Sequence, residues 1–358
     1  MADPLLSPTV GGAFWLASGA AVTVAARRVR RTDDERLVPL MGVLGAFVFA
    51  AQMLNFAIPG TGSSGHLGGG LLLAILLGPS AALVVMASVL TVQSLFFADG
   101  GLLALGCNVF NMGVVPALLA APLVYRPVAG TRGDPARIAA AALLAAILAL
   151  QLGALGVVAQ SRLSAVASLP TVGFLLLMQP IHLAIGIVEG LATAAIVVFT
   201  ARMRPDLLAT GHAMDPARTR PLRPVLLAIA ATALLLAGGL SLLASSRPDG
   251  LEWTIERLGG SASLPTPPEA MHAALERIQS ATAVLRDYSL GRAAAGHAAP
   301  AAQDPLAAAQ GAGMPAAAGD AGGAATATDS SGAGLIGGVL TLALVLAAGA
   351  RLRRQRRS

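Results

Sequence analysis

The residues best suited to chemistry lie in a short glycine- and serine-rich segment around His66. Residues 60–70 read Gly-Thr-Gly-Ser-Ser-Gly-His-Leu-Gly-Gly-Gly. Imidazole is the commonest metal-binding side chain, and glycines let the backbone approach a small ligand closely. Asn55, Ser63 and Ser64 would support such a ligand. The pattern predicts either a small-ligand site, most simply for a metal ion, or a hydrogen-bonded histidine in a solvated loop, and the residues alone leave both open.

A second set of polar side chains lies within apolar stretches, where polar groups are costly and are therefore candidates for function. His182 and Glu189 are seven residues apart, which places them on one face of a helix about two turns apart. They could form a proton or metal relay, or each could hydrogen-bond to a neighbouring helix. Gln93 and Asn108 are predicted to support the site or to join helices in the same way.

Membrane-spanning helices must position these candidates. Of the 358 residues, 55% are hydrophobic and 12% are charged, whereas a soluble domain carries about 25% charged residues. A helix needs about 20 apolar residues to cross a bilayer core of ~30 Å. Nine apolar segments are predicted, at residues 9–26, 38–58, 67–77, 79–97, 102–125, 136–160, 170–200, 224–245 and 334–350. The third is short, which predicts a half-helix packed inside the bundle.

The arginines predict the orientation of these segments. The chain has no lysine, and its arginine clusters follow segments 1, 5, 7 and 9, at residues 27–36, 126–137, 202–223 and 351–357. Loops rich in positive charge stay on the cytoplasmic side. We therefore expect an all-α, polytopic bundle of about nine spans in the cell membrane, with the N-terminus outside and the C-terminus in the cytoplasm. Met1 and His66 then share the outer side.

The outer loop of residues 246–333 divides into three parts. Pro248-Asp249-Gly250-Leu251-Glu252 opens it with turn residues, and residues 267–287 carry apolar side chains at helical spacing, which predicts a short amphipathic helix. Residues 293–333 are rich in alanine and glycine and predict a flexible tether.

Several classes of protein are disfavoured. A phosphate-binding P-loop needs a lysine, which this chain lacks, so ATP hydrolysis by that route is not expected. No zinc-protease or serine-hydrolase motif stands out, and no enzyme activity is predicted, although an intramembrane hydrolase stays open. Arginine in a membrane protein reports orientation rather than nucleic-acid binding. The single cysteine, Cys107, is predicted to be a buried free thiol.

Several motifs together resemble one known family. They are the runs Leu6-Ser7-Pro8, the segment from Pro39 to Met53, Ser64-Gly65-His66, Ala98-Asp99-Gly100-Gly101 and Leu105-Gly106-Cys107-Asn108. These runs closely resemble the CbiM/NikM family, the substrate-binding membrane components of energy-coupling-factor importers for cobalt and nickel. Residues 1–205 look like that component, and residues 206–223 would be a cytoplasmic linker. Residues 224–358 resemble the two-span, NikN-like companion subunit with its PDGLE motif.

The resemblance implies a ligand set and a group of partners. In this family the transported Ni(II) or Co(II) is held by the N-terminal amine, by the backbone nitrogen and imidazole of a histidine at position 2, and by the histidine of the Ser-Gly-His loop. Carried over, the ligands are Met1, Ala2 and His66, and four nitrogens in a plane suit Ni(II). No cofactor is bound permanently. The implied partners are a transmembrane coupling subunit and cytoplasmic ATPases, encoded separately, and the lipid bilayer, with no nucleic acid.

Position 2 departs from the family pattern, because Ala2 has no imidazole. Either translation starts two residues upstream and adds Met-His, or the site is a variant with weaker or different metal binding. Nitrogen ligands do not distinguish nickel from cobalt. The expected function is capture of the metal at the outer face for an ATP-driven importer. The alternative is a secondary metal-ion transporter or channel that works alone, with His182 and Glu189 along its path.

Overall fold

The computed structural model of the chain describes residues 1–131, 133–208, 221–260, 264, 267, 269–288 and 327–357. These residues form an all-α bundle with one short β-hairpin. The helices are α1 (Pro8–Arg31), α2 (Leu37–Gln52), α3 (Gly70–Leu77), α4 (Pro79–Phe97), α5 (Leu105–Ala129), α6 (Pro135–Ser164), α7 (Thr171–Met203), α8 (Arg223–Leu243), α9 (Gly250–Gly259), α10 (Ala270–Thr282) and α11 (Ala327–Arg357). Strands β1 (Phe56–Ala57) and β2 (Ser64–Gly65) pair antiparallel between α2 and α3.

Within the described ranges, seven helices are long and apolar enough to cross a membrane, namely α1, α4, α5, α6, α7, α8 and α11. The predicted all-α, multi-pass membrane fold is confirmed, whereas the count of nine spans is not. α2 has 16 residues and ends at Gln52, although the sequence predicted an apolar segment up to residue 58. The helix stops early because the chain turns into the hairpin at Phe56.

The hairpin, its following loop and the short helix α3 together run from one end of the bundle to the other. Its eight residues make about 12 Å of helix, less than half of a bilayer core. Its last residue, Leu77, shares a cavity with Asp206, which follows α7 at one end of the bundle. At the other end of α3, the preceding residues Gly68 and Gly69 reach Glu189 in the middle of α7. The hairpin and its following loop therefore enter the bundle, and α3 is the packed half-helix that the sequence predicted.

The C-terminal spans belong to the same bundle, because α8 and α11 both pack on α2. Small residues permit this approach. A Cβ atom built on Gly337 of α11 would lie 2.0 Å from Cζ of Phe49, and one built on Gly42 would lie 2.8 Å from Cδ2 of Leu346. Small residues let helices in membranes approach each other closely in this way.

The long segment between α8 and α11, predicted to be an outer loop, is partly as predicted. The amphipathic helix expected at 267–287 is observed as α10 followed by a 3-10 turn at Arg286–Tyr288. The expectation of a tether up to residue 333 is wrong at its end, since α11 already begins at Ala327. Ser331, in the second turn of this helix, is buried against α8, with its Oγ 3.0 Å from Oγ of Ser241. The rest of the predicted tether, residues 293–326, and residues 209–220 of the predicted linker lie outside the described residues.

An ion-pair cluster joins α2 and α7 at the end of the bundle opposite to the hairpin. Asp206 accepts hydrogen bonds from Arg204 at 2.9 Å and from Arg36 at 2.8 Å. The Arg204 guanidinium, together with that of Arg36, holds the pKa of the Asp206 carboxyl well below its usual range.

Candidate metal site

The loop that carries His66 is held in place by side chains from three helices. The Gly68 amide donates to one carboxylate oxygen of Glu189 at 2.7 Å, and the Gly69 amide donates to the other at 3.0 Å. The Gly68 carbonyl accepts from Nε2 of Gln52 at 2.8 Å. Gln93 in turn donates to Oε1 of Gln52 at 2.8 Å. Helices α7 and α2 therefore hold the amide and the carbonyl of Gly68, which is two positions after His66. Helix α4 supports this arrangement through Gln52.

This network has a plain physical reason. Non-helical backbone at membrane depth is tolerated only where protein or water satisfies its polar groups. Glu189 is 3% exposed and Gln52 is 6% exposed, so the protein itself supplies these partners. A buried carboxylate is also costly unless it is hydrogen-bonded, and the two amides meet that need. The relay predicted for His182 and Glu189 stays a prediction, but the described contacts of Glu189 are those of an anchor for the loop.

The ring of His66 is oriented by its own loop. Its Nδ1 lies 3.2 Å from the carbonyl oxygen of Leu67. Since a carbonyl only accepts, Nδ1 carries the proton in this contact, and the lone pair of the neutral ring is then at Nε2. Metal-binding histidines commonly donate their second ring nitrogen in this way, which fixes both the tautomer and the ring direction.

The PDGLE segment extends the hairpin on the side of His66. The Ser64 amide donates to the carbonyl of Pro248 at 2.8 Å, and its Oγ donates to the carbonyl of Arg247 at 2.8 Å. Ser64 and Asp249 form a parallel β-bridge. Gly250 then packs on α7, where a Cβ atom would lie 2.6 Å from Cγ2 of Ile181. The residue immediately before Gly65-His66 is thus tied to the C-terminal region.

The N-terminal segment lies on the loop that joins α4 and α5. The Met1 carbonyl accepts from the Gly101 amide at 3.2 Å and from Nδ2 of Asn108 at 3.3 Å. Oδ1 of Asp3 accepts from the Ala104 amide at 2.8 Å. Burial raises the pKa of the Asp3 carboxyl, and the backbone hydrogen bonds oppose this shift. A Cβ atom at Gly101 would collide with Asp3, which explains the glycine at position 101.

Two cavities bring the N-terminus and His66 together. The larger is about 660 Å³ and the smaller about 150 Å³, and Met1, His66 and Asn108 line both. The larger one is also lined by Ala2, Asn55 and Gln93. The smaller one is lined by His182 and Glu189. Most of the predicted site residues therefore line one or both of these neighbouring cavities at the hairpin end of the bundle.

Two predicted site residues, Ser63 and Ser64, line neither cavity. Ser63 and Ser64 are fully buried in the hairpin, where Oγ of Ser63 lies 2.8 Å from Oγ1 of Thr61. His182 donates through Nδ1 to the carbonyl of Met178 at 2.8 Å. Cys107 is a buried free thiol, as predicted, and packs against Leu6. In the described part of the chain, no three side chains of the His, Cys, Asp or Glu type converge as a metal site.

Four further residues of this region are not in the predicted site. They are Asp3, Gln52, His272 and Gln279. Gln52 stands out in the sequence as a polar residue in an apolar segment, which is a usable signal. The other three bind backbone groups far away in the chain, so no local pattern indicates their role.

The chain matches known proteins over nearly all of its length. Residues 1–207 match the family described as "Cobalt uptake substrate-specific transmembrane region" (CbiM), and residues 223–354 match the PDGLE domain. A protein of Haloquadratum walsbyi assigned to metal transport is 38% identical over 58% of this chain and 92% of its own length. The fused nickel transport protein NikMN of Rhodobacter capsulatus is 31% identical over 80% of this chain and 87% of its own length. The cobalt transport protein CbiM of Geobacter sulfurreducens is 34% identical over 58% of this chain and 61% of its own length.

Proposed function

Because the chain belongs to the CbiM family and carries a PDGLE domain after it, it is a membrane component of cobalt or nickel transport, and we propose that it captures the divalent ion at its outer face. The ion is held in the region between the N-terminus and the His66 loop. It is then carried inward by an ATP-driven complex. The transported ion is the substrate, and the chain has no catalytic step of its own.

One observation carries this proposal. Met1 and His66 lie 65 positions apart in the chain, yet both line the same two cavities. Met1 is held there by Gly101 and Asn108, and His66 is held by the network around Gly68. Two residues from distant segments, each with a nitrogen that can bind a metal ion, thus line one space, which supports a small metal site.

The donors available in this chain are the Met1 amine, the backbone nitrogen of Ala2 and Nε2 of His66. Nitrogen donors suit Ni(II) and Co(II), and a planar set favours Ni(II). The amine and the amide must lose protons to bind, so the affinity falls as the pH is lowered. Ala2 supplies no imidazole, so position 2 offers only its backbone nitrogen.

Import needs partners that this chain does not provide. We propose a transmembrane coupling subunit and cytoplasmic ATPases, encoded separately. Residues 1–205 form the metal-binding component, and residues 224–358 form a companion of two spans. The matches at 1–207 and 223–354 support this division. The proposed orientation places the hairpin end of the bundle outside and the Arg36–Asp206 end in the cytoplasm.

The direct test is metal binding by the purified full chain in detergent. We expect saturable binding of NiCl2 or CoCl2 in titration calorimetry, and His66→Ala should weaken it by more than about 100-fold, since loss of a supporting group alone costs 10–100-fold. Ser88→Ala serves as a control, because the Ser88 hydroxyl donates within its own helix, to the Val84 carbonyl at 2.9 Å, and Ser88 lines neither cavity. Unchanged binding in His66→Ala would reject the site.

A second assay separates the proposal from the secondary transporter. Radioactive nickel uptake is measured in cells that contain this chain with or without the coupling subunit and ATPases. We expect uptake only with the complete set. Uptake by the chain alone, lost in Glu189→Gln and His182→Ala, would instead favour the relay alternative.

A further inference from the structure

The C-terminal region contacts both halves of the proposed donor set. On the His66 side, the carbonyls of Arg247 and Pro248 bind Ser64. On the N-terminal side, α10 lies against the residues that follow Met1. The two contacts come from one outer loop, although the segments that they hold are far apart in the sequence.

His272 of α10 binds the N-terminal segment directly. Its side chain is 1% exposed, and its Nε2 donates to the carbonyl of Leu6 at 3.0 Å. Nδ1 of the same ring lies 3.7 Å from Oε2 of Glu269. One turn further along α10, Leu275 packs on the buried cluster that contains Leu6 and Leu103. The helix therefore grips the N-terminal segment with one hydrogen bond and one apolar contact.

Gln279, two turns along the same helix, binds the loop on which Met1 rests. Its Nε2 donates to the carbonyl of Gly100 at 2.8 Å and to that of Ser94 at 3.0 Å. The next residue, Gly101, is the one whose amide holds the Met1 carbonyl. Beyond α10, Tyr288 donates its hydroxyl to Asp99, so this loop is fixed at several points by the C-terminal region.

We propose that His272 and Gln279 are positioning residues for the N-terminal metal donors, so that α10 sets how tightly this protein binds its ion. The proposal rests on the function proposed above. A chain terminus frays unless it is tied down. Because α10 ties down the segment from Met1 to Leu6 before the ion arrives, less conformational entropy is lost on binding, and the affinity rises.

The test compares NiCl2 affinities of purified full-length variants by titration calorimetry at constant pH. Removal of one buried hydrogen bond in His272→Ala should weaken binding about tenfold, which corresponds to ~1.4 kcal/mol. His272→Gln places an amide nitrogen where Nε2 was and should restore most of the affinity. Met271→Ala is the matched control, because Met271 is the adjacent residue and is 49% exposed. The unfolding temperature without metal is measured for each variant.

Each outcome either supports or overturns the proposed role of α10. The proposal is supported if His272→Ala binds NiCl2 more weakly than the parent, His272→Gln regains most of the parent affinity, and Met271→Ala keeps it. Parent affinity in His272→Ala, no restoration by Gln, or an equal loss in Met271→Ala would overturn it. If His272→Ala does not fold, Gln279→Glu replaces it, because a carboxylate cannot donate to the Gly100 carbonyl. Weaker NiCl2 affinity in Gln279→Glu supports the proposal, and the parent affinity refutes it. His66→Ala is titrated in parallel: if it binds like the parent, the proposed site itself fails and this inference falls with it.

Discussion

Glu189→Gln tests whether the hydrogen bonds from the Gly68 and Gly69 amides to the buried Glu189 carboxylate hold the His66 loop in place. The substitution keeps the size and shape of the side chain. It leaves one oxygen to accept from Gly68 or Gly69 and points an NH2 group at the other amide, where a carboxylate oxygen had accepted at 2.7 or 3.0 Å. One of the two backbone amides therefore loses its acceptor inside the bundle.

The expected rise in Kd follows from the loss of this one hydrogen bond. A hydrogen bond to a charged group contributes about 1.5–3 kcal/mol, and here one such bond is lost. If the whole of this free energy acted on the loop, the binding-competent conformation would become about 10- to 150-fold rarer, and the apparent Kd would rise by the same factor. Gln52 and Ser64 still hold the loop, and burial of a neutral amide costs less than burial of a carboxylate. We therefore expect an increase in Kd of roughly tenfold, near the lower end of that range.

The assay is NiCl2 titration of the purified protein, with the unfolding temperature of the metal-free form measured alongside. Gln151→Leu is the matched control. Gln151 of α6 also binds α7, through a 2.9 Å hydrogen bond to the carbonyl of Gln179, so its hydrogen bond goes to α7 and not to the loop. This control should lower the unfolding temperature and leave the Kd unchanged.

An unaltered Kd in Glu189→Gln would refute the reasoning, because the loop would then keep its shape without the second acceptor. Equal losses of affinity in both variants would also refute it, since the effect would then follow general loosening of the bundle.

The remaining predictions concern stability. Gly337→Leu should lower the unfolding temperature and release α11 from α2, because a Cβ atom at position 337 would collide with the ring of Phe49. Hydrogen exchange of the α11 amides measures this release, and unchanged protection of α11 would contradict the prediction. Asp206→Asn should destabilise the protein at neutral pH, because the lowered pKa of Asp206 beside Arg204 and Arg36 means that its charged form stabilises the fold above the unfolded-state pKa. That stabilisation disappears as the pH falls through the folded-state pKa, so unfolding curves of the two proteins should converge in acid, and a constant difference would be inconsistent with the ion pairs.

The sequence alone predicts the parts of this protein that depend on local patterns. Long apolar runs mark the spans, because the bilayer sets their length. The spacing of apolar residues in 267–287 predicts α10, and the polar glycine-rich run marks the His66 loop. The early end of α2 at Gln52 is not predicted, since residues 53–58 are apolar enough to continue a helix and leave it only because the hairpin packs against α7.

The supporting contacts of the site are harder to predict, because they join distant residues. Ser64 and Arg247 are 183 positions apart, and His272 and Leu6 are 266 apart. Their acceptors are backbone carbonyls, which every residue possesses, so no residue type signals the partner. Glu189 illustrates the same limit: its position within an apolar helix marks it as important, but the two glycine amides that it binds are visible only in the folded chain.

The grip on Gly68 has a mechanical consequence. Glu189 of α7 binds the amide of that residue and Gln52 of α2 binds its carbonyl, while Gln93 of α4 donates to Gln52. The position of Gly68 therefore depends on all three helices. A tilt of any one of them against the others displaces the imidazole two residues upstream. If the proposed site is right, a force applied to the far end of the bundle would reach the ion as a shift of the His66 imidazole relative to the N-terminal donors.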